Sequence, residues 1–236
     1  MKIALFGYGK MGKMVERTAL ERGHTIVKKI DGKTTGIAIA EADVAIDFSS
    51  PAAALKNISL CLEQQVPVIS GTTGWLKDYD SAVALCNEKN GAFIYASNFS
   101  LGVNMFFQLN TCLAKLMNGF PEYDVNIEEI HHKGKLDAPS GTAITLAETV
   151  IANSDKTGWK LGEAEEHEIP VTAKRIADVP GTHSINYRGS ADTIAITHKA
   201  HNRAGFALGA VIAAEWIIGK KGVYTMKDVL NLGEIM

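Results

Sequence analysis

The sequence predicts an α/β protein in two parts: an N-terminal domain on a parallel sheet, then a C-terminal α+β domain on a mixed, largely open sheet. Three observations predict it. Through the first hundred residues short apolar runs alternate with helical stretches, the order that builds parallel strands joined by helices. Between residues 167 and 199 three strand-like runs follow one another with no helix between them, which indicates a mixed or antiparallel sheet. A glycine-rich turn stands directly behind the first strand, where a helix begins.

Taken in order, residues 2–6 form a short apolar strand and an amphipathic helix then runs to near Gly23. Between them Gly7-Tyr8-Gly9-Lys10-Met11-Gly12 has GxGxxG spacing. Gly7 suits the tight bend, Gly9 lets a pyrophosphate approach the backbone, and Gly12 allows close helix-to-strand contact. Residues 25–30 make a second strand, and Asp31 follows where an acid bonds the adenosine ribose hydroxyls, so the unit reads as Rossmann-like. Lys33 is either a solvated loop lysine or a cation that accommodates the extra phosphate of NADP, which leaves NADH or NADPH as the cofactor.

Strands over 41–48, 66–70 and 92–97 and helices over 52–65 and 78–89 continue the pattern. Ligands of such sheets sit at the carboxyl ends of the strands. Those ends carry Asp47-Phe48-Ser49, Gly71-Thr72-Thr73-Gly74 and Ala96-Ser97-Asn98-Phe99-Ser100. The Gly71 turn either presents N–H and hydroxyl groups to the nicotinamide half of the cofactor or is an ordinary turn. A helix over 103–117, a strand over 123–130, a helix from Ser140 and strands over 167–173, 182–187 and 192–199 complete the second part. The apolar helix 205–219 is expected to cross back. The division is therefore a dinucleotide-binding domain, 1–100 with 204–236 packed onto it, and a substrate-binding and oligomerisation domain, 101–203.

Residues 128–143, EEIHHKGKLDAPSGTA, join two kinds of chemistry. His131, His132 and Lys135 supply imidazoles that exchange protons near neutral pH and a fixed positive charge. Adjacent histidines on a strand face opposite sides, so both reach one ligand only if the chain turns at the strand end, and Gly134 permits that. Asp137 or Ser140 can cap the following helix, with Pro139 in its first turn. Ser140, Gly141 and Thr142 then offer N–H groups and hydroxyls to an anion. The stretch reads as a pocket for an anionic substrate that must receive a proton.

Twenty-four basic against twenty-six acidic residues leave a net charge of −2, which favours neither nucleic acid nor an acidic membrane as partner. The most apolar run, 204–219, is too short to span a bilayer and carries Glu215. Cys61, Cys86 and Cys112 have no metal spacing and cannot all pair, and a strand beginning at residue 2 leaves no room for a signal peptide. The expectation is a cytoplasmic protein without a metal, since adjacent histidines lack metal-ligand spacing.

With these motifs laid out, the chain resembles the 4-hydroxy-tetrahydrodipicolinate reductase (dihydrodipicolinate reductase) family of lysine and diaminopimelate biosynthesis over essentially its whole length. The carriers are GYGKMG at 7–12, DFSSP at 47–51, GTTG at 71–74, ASNFSLGVN at 96–104, the block at 128–143, and RIADVPGTH at 175–183. The resemblance implies that His131 and Lys135 handle the proton and that His132, Gly141 and Thr142 contact the substrate. It further implies that the glycine turn, Asp31, the Gly71 turn and the Ala96 segment hold the nicotinamide. A cyclic imine dicarboxylate would be reduced by hydride addition at its C4, and the resulting enamine protonated. A homotetramer built through the second domain's sheet is implied as well. The interval from Asp31 to Asp47 is shorter than the family pattern, as if one strand and helix unit were trimmed, and Gly32 stands where some members have a basic residue. The alternatives are another two-domain NAD(P)-linked amino-acid dehydrogenase and a non-catalytic dinucleotide sensor.

Overall fold

The computed structural model describes residues 1–34 and 36–232. The first elements are β1 (Lys2–Phe6), α1 (Lys10–Glu21), β2 (Thr25–Ile30), β3 (Val44–Asp47), α2 (Pro51–Glu63), β4 (Val68–Ser70), α3 (Tyr79–Glu88) and β5 (Ala92–Tyr95). Then come α4 (Leu101–Met117), β6 (Asp124–His131), α5 (Gly141–Ile151), β7 (Gly158–Leu161), β8 (Glu168–Arg175), β9 (Gly181–Arg188) and β10 (Thr193–Ala200). The chain ends with α6 (Ala204–Ile217), β11 (Gly222–Tyr224) and α7 (Met226–Val229). Two compact units result, one of Met1–Leu101 with Arg203–Met236 and one of Gly102–Asn202. Of the 204–236 return segment, residues 233–236 lie outside the described residues.

The first unit holds a six-stranded sheet in the order β11-β5-β4-β3-β1-β2. All its pairings are parallel. Period-two alternation sorts its side chains onto two faces. Ile3, Leu5, Val44, Ile46, Ile69 and Ile94 pack with α1 and α6. Ala4, Phe6, Ala45, Val68 and Phe93 pack with α2 and α3. Both faces are therefore covered, as a parallel sheet requires. Glu215, the one acid in the apolar helix, meets Arg22 at 2.7 Å and His24 at 2.6 Å, which ties the end of α1 to α6.

In this unit the structure departs from expectation at the start of the third strand and in two short elements. The third strand begins at Val44 and not at 41, because Ala42 closes a turn onto Ile39 and the Asp43 carboxylate accepts the Lys2 N–H at 2.6 Å. Residues 31–43 carry no helix or strand among the described residues, and β2 is an edge of the sheet. Strand β11 and helix α7 were not legible, since three and four residues establish no period.

The second unit holds a five-stranded mixed sheet, β10-β9-β6-β8-β7, antiparallel from β10 to β6 and parallel from β6 to β7. Val125, Ile127, Ile169, Val171 and Ile185 on one face of the sheet pack with Ala143, Leu146, Ala147 and Val150 of α5 and with Phe106 and Ala114 of α4. Strand β7, GWKL, was missed because four residues ending in an exposed lysine and leucine look like loop.

Candidate active site

In the first unit the expected dinucleotide residues gather at the strand ends. Gly7 has φ +85°, and a Cβ there would come 2.1 Å from the Phe48 carbonyl oxygen; a Cβ on Gly12 would come 2.2 Å from the Gly7 carbonyl oxygen. Neither position admits a side chain without moving backbone, whereas a Cβ on Gly9 meets nothing within 4 Å. The turn is thus tight on two sides and open on the third, where a pyrophosphate would approach. Gly9 caps α1 without a side-chain bond, so the first N–H groups of the helix are available to an anion.

A cavity of about 520 Å³ is lined by Gly7, Tyr8, Gly9, Asp31, Thr34, Ser49 and Lys56 among others. Asp31 accepts the Lys33 N–H and the Thr34 hydroxyl, each at 3.0 Å, and these bonds, Lys33's first, hold its carboxyl below the usual range. The Lys33 side chain is exposed and is not among the lining residues, while Lys56 on α2, which sequence reasoning passed over, is. A second cavity of about 220 Å³ is lined by Met11, Phe48, Gly71, Ser97, Phe99, Arg203 and Phe206. Lys10 opens α1, exposed.

Thr72 takes a different place from the one expected. It is buried, its hydroxyl donates to Asp47 at 2.7 Å, and it receives the Ser49 N–H at 2.9 Å. Asp47, with no exposed surface, also accepts from Ser70 and Asn57 and so ties the ends of β3 and β4 to α2. Thr73 is exposed, Ala96 bonds back to the Ser70 carbonyl, and the Asn98 side chain accepts the Ser100 N–H at 2.9 Å.

In the second unit β6 ends at His131, which is 8% exposed. The chain then turns, with the Lys135 N–H bonded to the His132 carbonyl at 3.1 Å across Gly134. Lys135 Nζ donates to both oxygens of Asp137, at 2.8 and 2.7 Å, and this pairing holds the Asp137 carboxyl below its usual range. Asp137 therefore does not cap the helix. Ser140 does, its hydroxyl accepting the Ala143 N–H at 3.3 Å, and Pro139 precedes the cap instead of occupying the first turn.

Ser140 is less available than expected. It is 3% exposed, its N–H donates to Glu129 at 2.9 Å, and its hydroxyl lies 3.0 Å from His183 Nε2. Gly141 is exposed and Thr142 half-buried, so the open N–H groups of α5 are theirs. Arg175, His183 and Glu129 are the residues that sequence reasoning left without roles. Arg175 reaches Glu129 Oε1 at 3.1 Å and the carbonyls of Lys135 and Asp137 at 3.2 and 2.7 Å, clamping the loop that carries Lys135. Donor atoms of Glu129, His131 and His183 lie within 4.8 Å of one another, a spacing a cation could use. The carboxylate's charge is already met by Arg175 and its Oε2 by the Ser140 N–H, so Glu129 is committed to protein partners, with the His131 ring beside it at 3.6 Å.

Burial pushes the His131 imidazole below its ordinary pKa, with Glu129 opposing, and pushes His183 down to about 4. For Glu129, burial works upward, but bonds from Ser140, the His131 charge and Arg175 outweigh it and keep the carboxyl below its usual value. A buried imidazole beside an ammonium can take up a proton and, once protonated, give it to a substrate.

Comparison with known proteins decides the family. Models described as "Dihydrodipicolinate reductase, N-terminus" and "Dihydrodipicolinate reductase, C-terminus" match residues 1–99 and 102–230. The chain belongs to the dihydrodipicolinate reductase family. A 4-hydroxy-tetrahydrodipicolinate reductase of Christiangramia forsetii is 56% identical over 234 residues, 98% of each chain. One from Archaeoglobus fulgidus is 36% identical, covering 98% of this chain and 100% of its own. The structure of a dipicolinate-bound dihydrodipicolinate reductase from Paenisporosarcina sp. TG-14 superposes with TM-score 0.76 at 23% identity, over 95% of this chain and 97% of that one, a likeness of fold. As a member of the family, the protein is an NAD(P)H-dependent oxidoreductase that reduces a cyclic imine dicarboxylate to tetrahydrodipicolinate in lysine biosynthesis.

Proposed function

We propose a division of labour for this reduction in which the first unit holds the dinucleotide and residues 131–142 supply the proton and the anion site. The reduced nicotinamide, when bound, supplies the hydride. The Gly7–Gly12 turn and the first N–H groups of α1 take the pyrophosphate, Asp31 the ribose hydroxyls, and Gly71 with Ser97 and Phe99 the nicotinamide half. Either NADH or NADPH fits this reading.

One substrate carboxylate meets the Gly141 and Thr142 N–H groups and the Thr142 hydroxyl at the start of α5, and His132 serves the other. His131 moves the proton, and Lys135 places positive charge beside the electrons left by hydride addition. The observation that carries this is the buried His131 imidazole, whose Nδ1 has no hydrogen-bond partner, on the same short stretch as the Lys135 ammonium and the α5 N-terminus. Asp137 keeps Lys135 in place until substrate arrives.

Steady-state kinetics of His131→Ala, Lys135→Ala and the double variant test the roles. Each single change is expected to lower kcat by about 10² to 10⁴-fold, the usual worth of general acid catalysis, while NADH binding persists. The double loss should fall well short of the product, because groups acting as a unit lose most of their value with the first removal. An unchanged kcat with a raised KM would assign these residues to dicarboxylate binding alone.

The molecule also suits a cytoplasmic homotetramer. The side of the second sheet away from α5 presents Ser184 and Thr197, which bond each other at 2.9 Å, as a surface for another copy, and the three cysteines are free thiols. Among the described residues no helix is long and apolar enough to cross a membrane. Light scattering gives the assembly directly, and a monomer at micromolar concentration would overturn it.

A further inference from the structure

Glu129 has no part in the roles assigned so far, yet it lies fully buried among Arg175, Ser140, His131 and His183. A carboxylate with no exposed surface is costly unless its charge is matched and its lone pairs are used. Both conditions hold here. Oε1 receives Arg175 Nη2 at 3.1 Å and Oε2 receives the Ser140 N–H at 2.9 Å. Oε2 also lies 3.6 Å from His131 Nδ1 and 3.8 Å from His183 Nε2, and that same His183 nitrogen is 3.0 Å from the Ser140 hydroxyl.

Strand register makes the arrangement. Glu129 and His131 are two residues apart on β6, so they share the face that packs against α5. Antiparallel pairing with β9 sets Glu129 opposite His183, and parallel pairing with β8 sets His131 opposite Arg175. Gly181 leaves the ring its room, since a Cβ there would stand 3.2 Å from His131 Nε2. The His131 and His183 rings meet edge to face with centroids 5.0 Å apart.

We propose that Glu129 is a positioning residue for both parts of this site: through the Ser140 N–H it fixes the first turn of α5 that presents Gly141 and Thr142, and through its charge it holds the His131 imidazole toward the proton-carrying form. It reaches substrate only through these neighbours. The inference rests on the reading of His131 as the proton carrier. Glu129 is one of several charges around His131: Arg175 from β8 and Lys135 from the loop disfavour a proton there, while Asp137 from the loop favours one. Facing His183 are His131, Glu129, Lys135 and His198 of β10. Glu129 is the favourable group in direct reach of Nδ1.

The test is the pH profile of kcat/KM for wild type, Glu129→Gln, Glu129→Asp and His131→Ala, with NADH affinity and thermal melting as checks on folding. A protonated His131 gives an alkaline limb, where activity falls as the imidazole loses its proton. Removing the negative charge in Glu129→Gln is expected to move that limb to lower pH by about one unit, the effect of an opposite charge at this range. It should also lower kcat/KM at least about tenfold, the order of one charge-assisted hydrogen bond. Glu129→Asp keeps the charge but withdraws it from Ser140. There the limb should stay near its wild-type position while KM rises with kcat less affected.

A folded Glu129→Gln with the limb in place, however inactive, reduces Glu129 to packing and overturns the proposal. So does a Glu129→Asp whose KM is that of wild type, and this arm decides alone if Glu129→Gln does not fold. A limb that survives in His131→Ala belongs to another group and overturns the proton assignment itself. A limb lost in His131→Ala but unmoved in Glu129→Gln overturns only the role of Glu129.

Discussion

At the scale of single residues, the proposed dinucleotide site makes cofactor choice depend on which charges share the cavity beyond β2. Asp31 is ionised at neutral pH, because the Lys33 N–H and the Thr34 hydroxyl stabilise its carboxylate, and on the proposed reading it would accept from ribose hydroxyls and repel a 2′-phosphate. Lys33 contributes to that site through its backbone, whereas Lys56 brings an ammonium to the same cavity from α2. Asp31→Ala is therefore expected to weaken NADH more than NADPH. Lys56→Ala should weaken NADPH by about tenfold, the order of one charged hydrogen bond, and NADH hardly at all. Lys33→Ala should change neither by as much. Fluorescence titration with both dinucleotides reads this directly, and equal losses of the two cofactors in Asp31→Ala would remove Asp31 from the ribose site.

At the scale of elements, both proposed anion sites are helix beginnings, and they are built differently. The start of α1 is a bare glycine turn. Gly9→Ala places a methyl group in open space, so the fold should stand while dinucleotide affinity falls. Gly12→Ala drives a methyl group to 2.2 Å from the Gly7 carbonyl oxygen, so α1 must shift and the melting temperature should fall with the affinity. A Gly12→Ala protein as stable as Gly9→Ala would show that the turn yields more easily than this contact implies. The start of α5 is capped by Ser140 and anchored from below by Glu129, a link invisible in the sequence. The glycine spacing, the strand–helix alternation and the His131–Thr142 block were legible because each lies within one local stretch. The roles of Glu129, Arg175 and His183 were not, because they depend on the register of β6 with β8 and β9, which joins residues dozens of positions apart. Short edge pieces such as β7 and β11 escaped for the opposite reason, since they are too brief to show a period.

At the scale of the whole molecule, the buried polar cluster makes stability depend on pH. His183 titrates near 4 in the folded chain, burial being the main cause and the His131 charge the next, against about 6.5 when unfolded. Between these values the unfolded chain binds a proton that the folded chain refuses. The contribution of His183 is therefore complete above about pH 6.5 and is lost as the pH falls toward 4. His131 and His198 are shifted the same way by burial and add to the loss. Glu129, held below its usual value, extends it at still lower pH, where its protonation releases Arg175 and Ser140. From pH 7 to 5 the His183 share amounts to roughly 2 kcal/mol, which for a chain of this size corresponds to a fall of about 4 °C or more in Tm. His183→Asn removes the titrating group, so its Tm should start lower at pH 7, where the Ser140 contact is lost, yet decline less between pH 7 and 5 than that of wild type. Scanning calorimetry at the two pH values measures both, and an undiminished decline in His183→Asn would move the acid sensitivity away from this cluster.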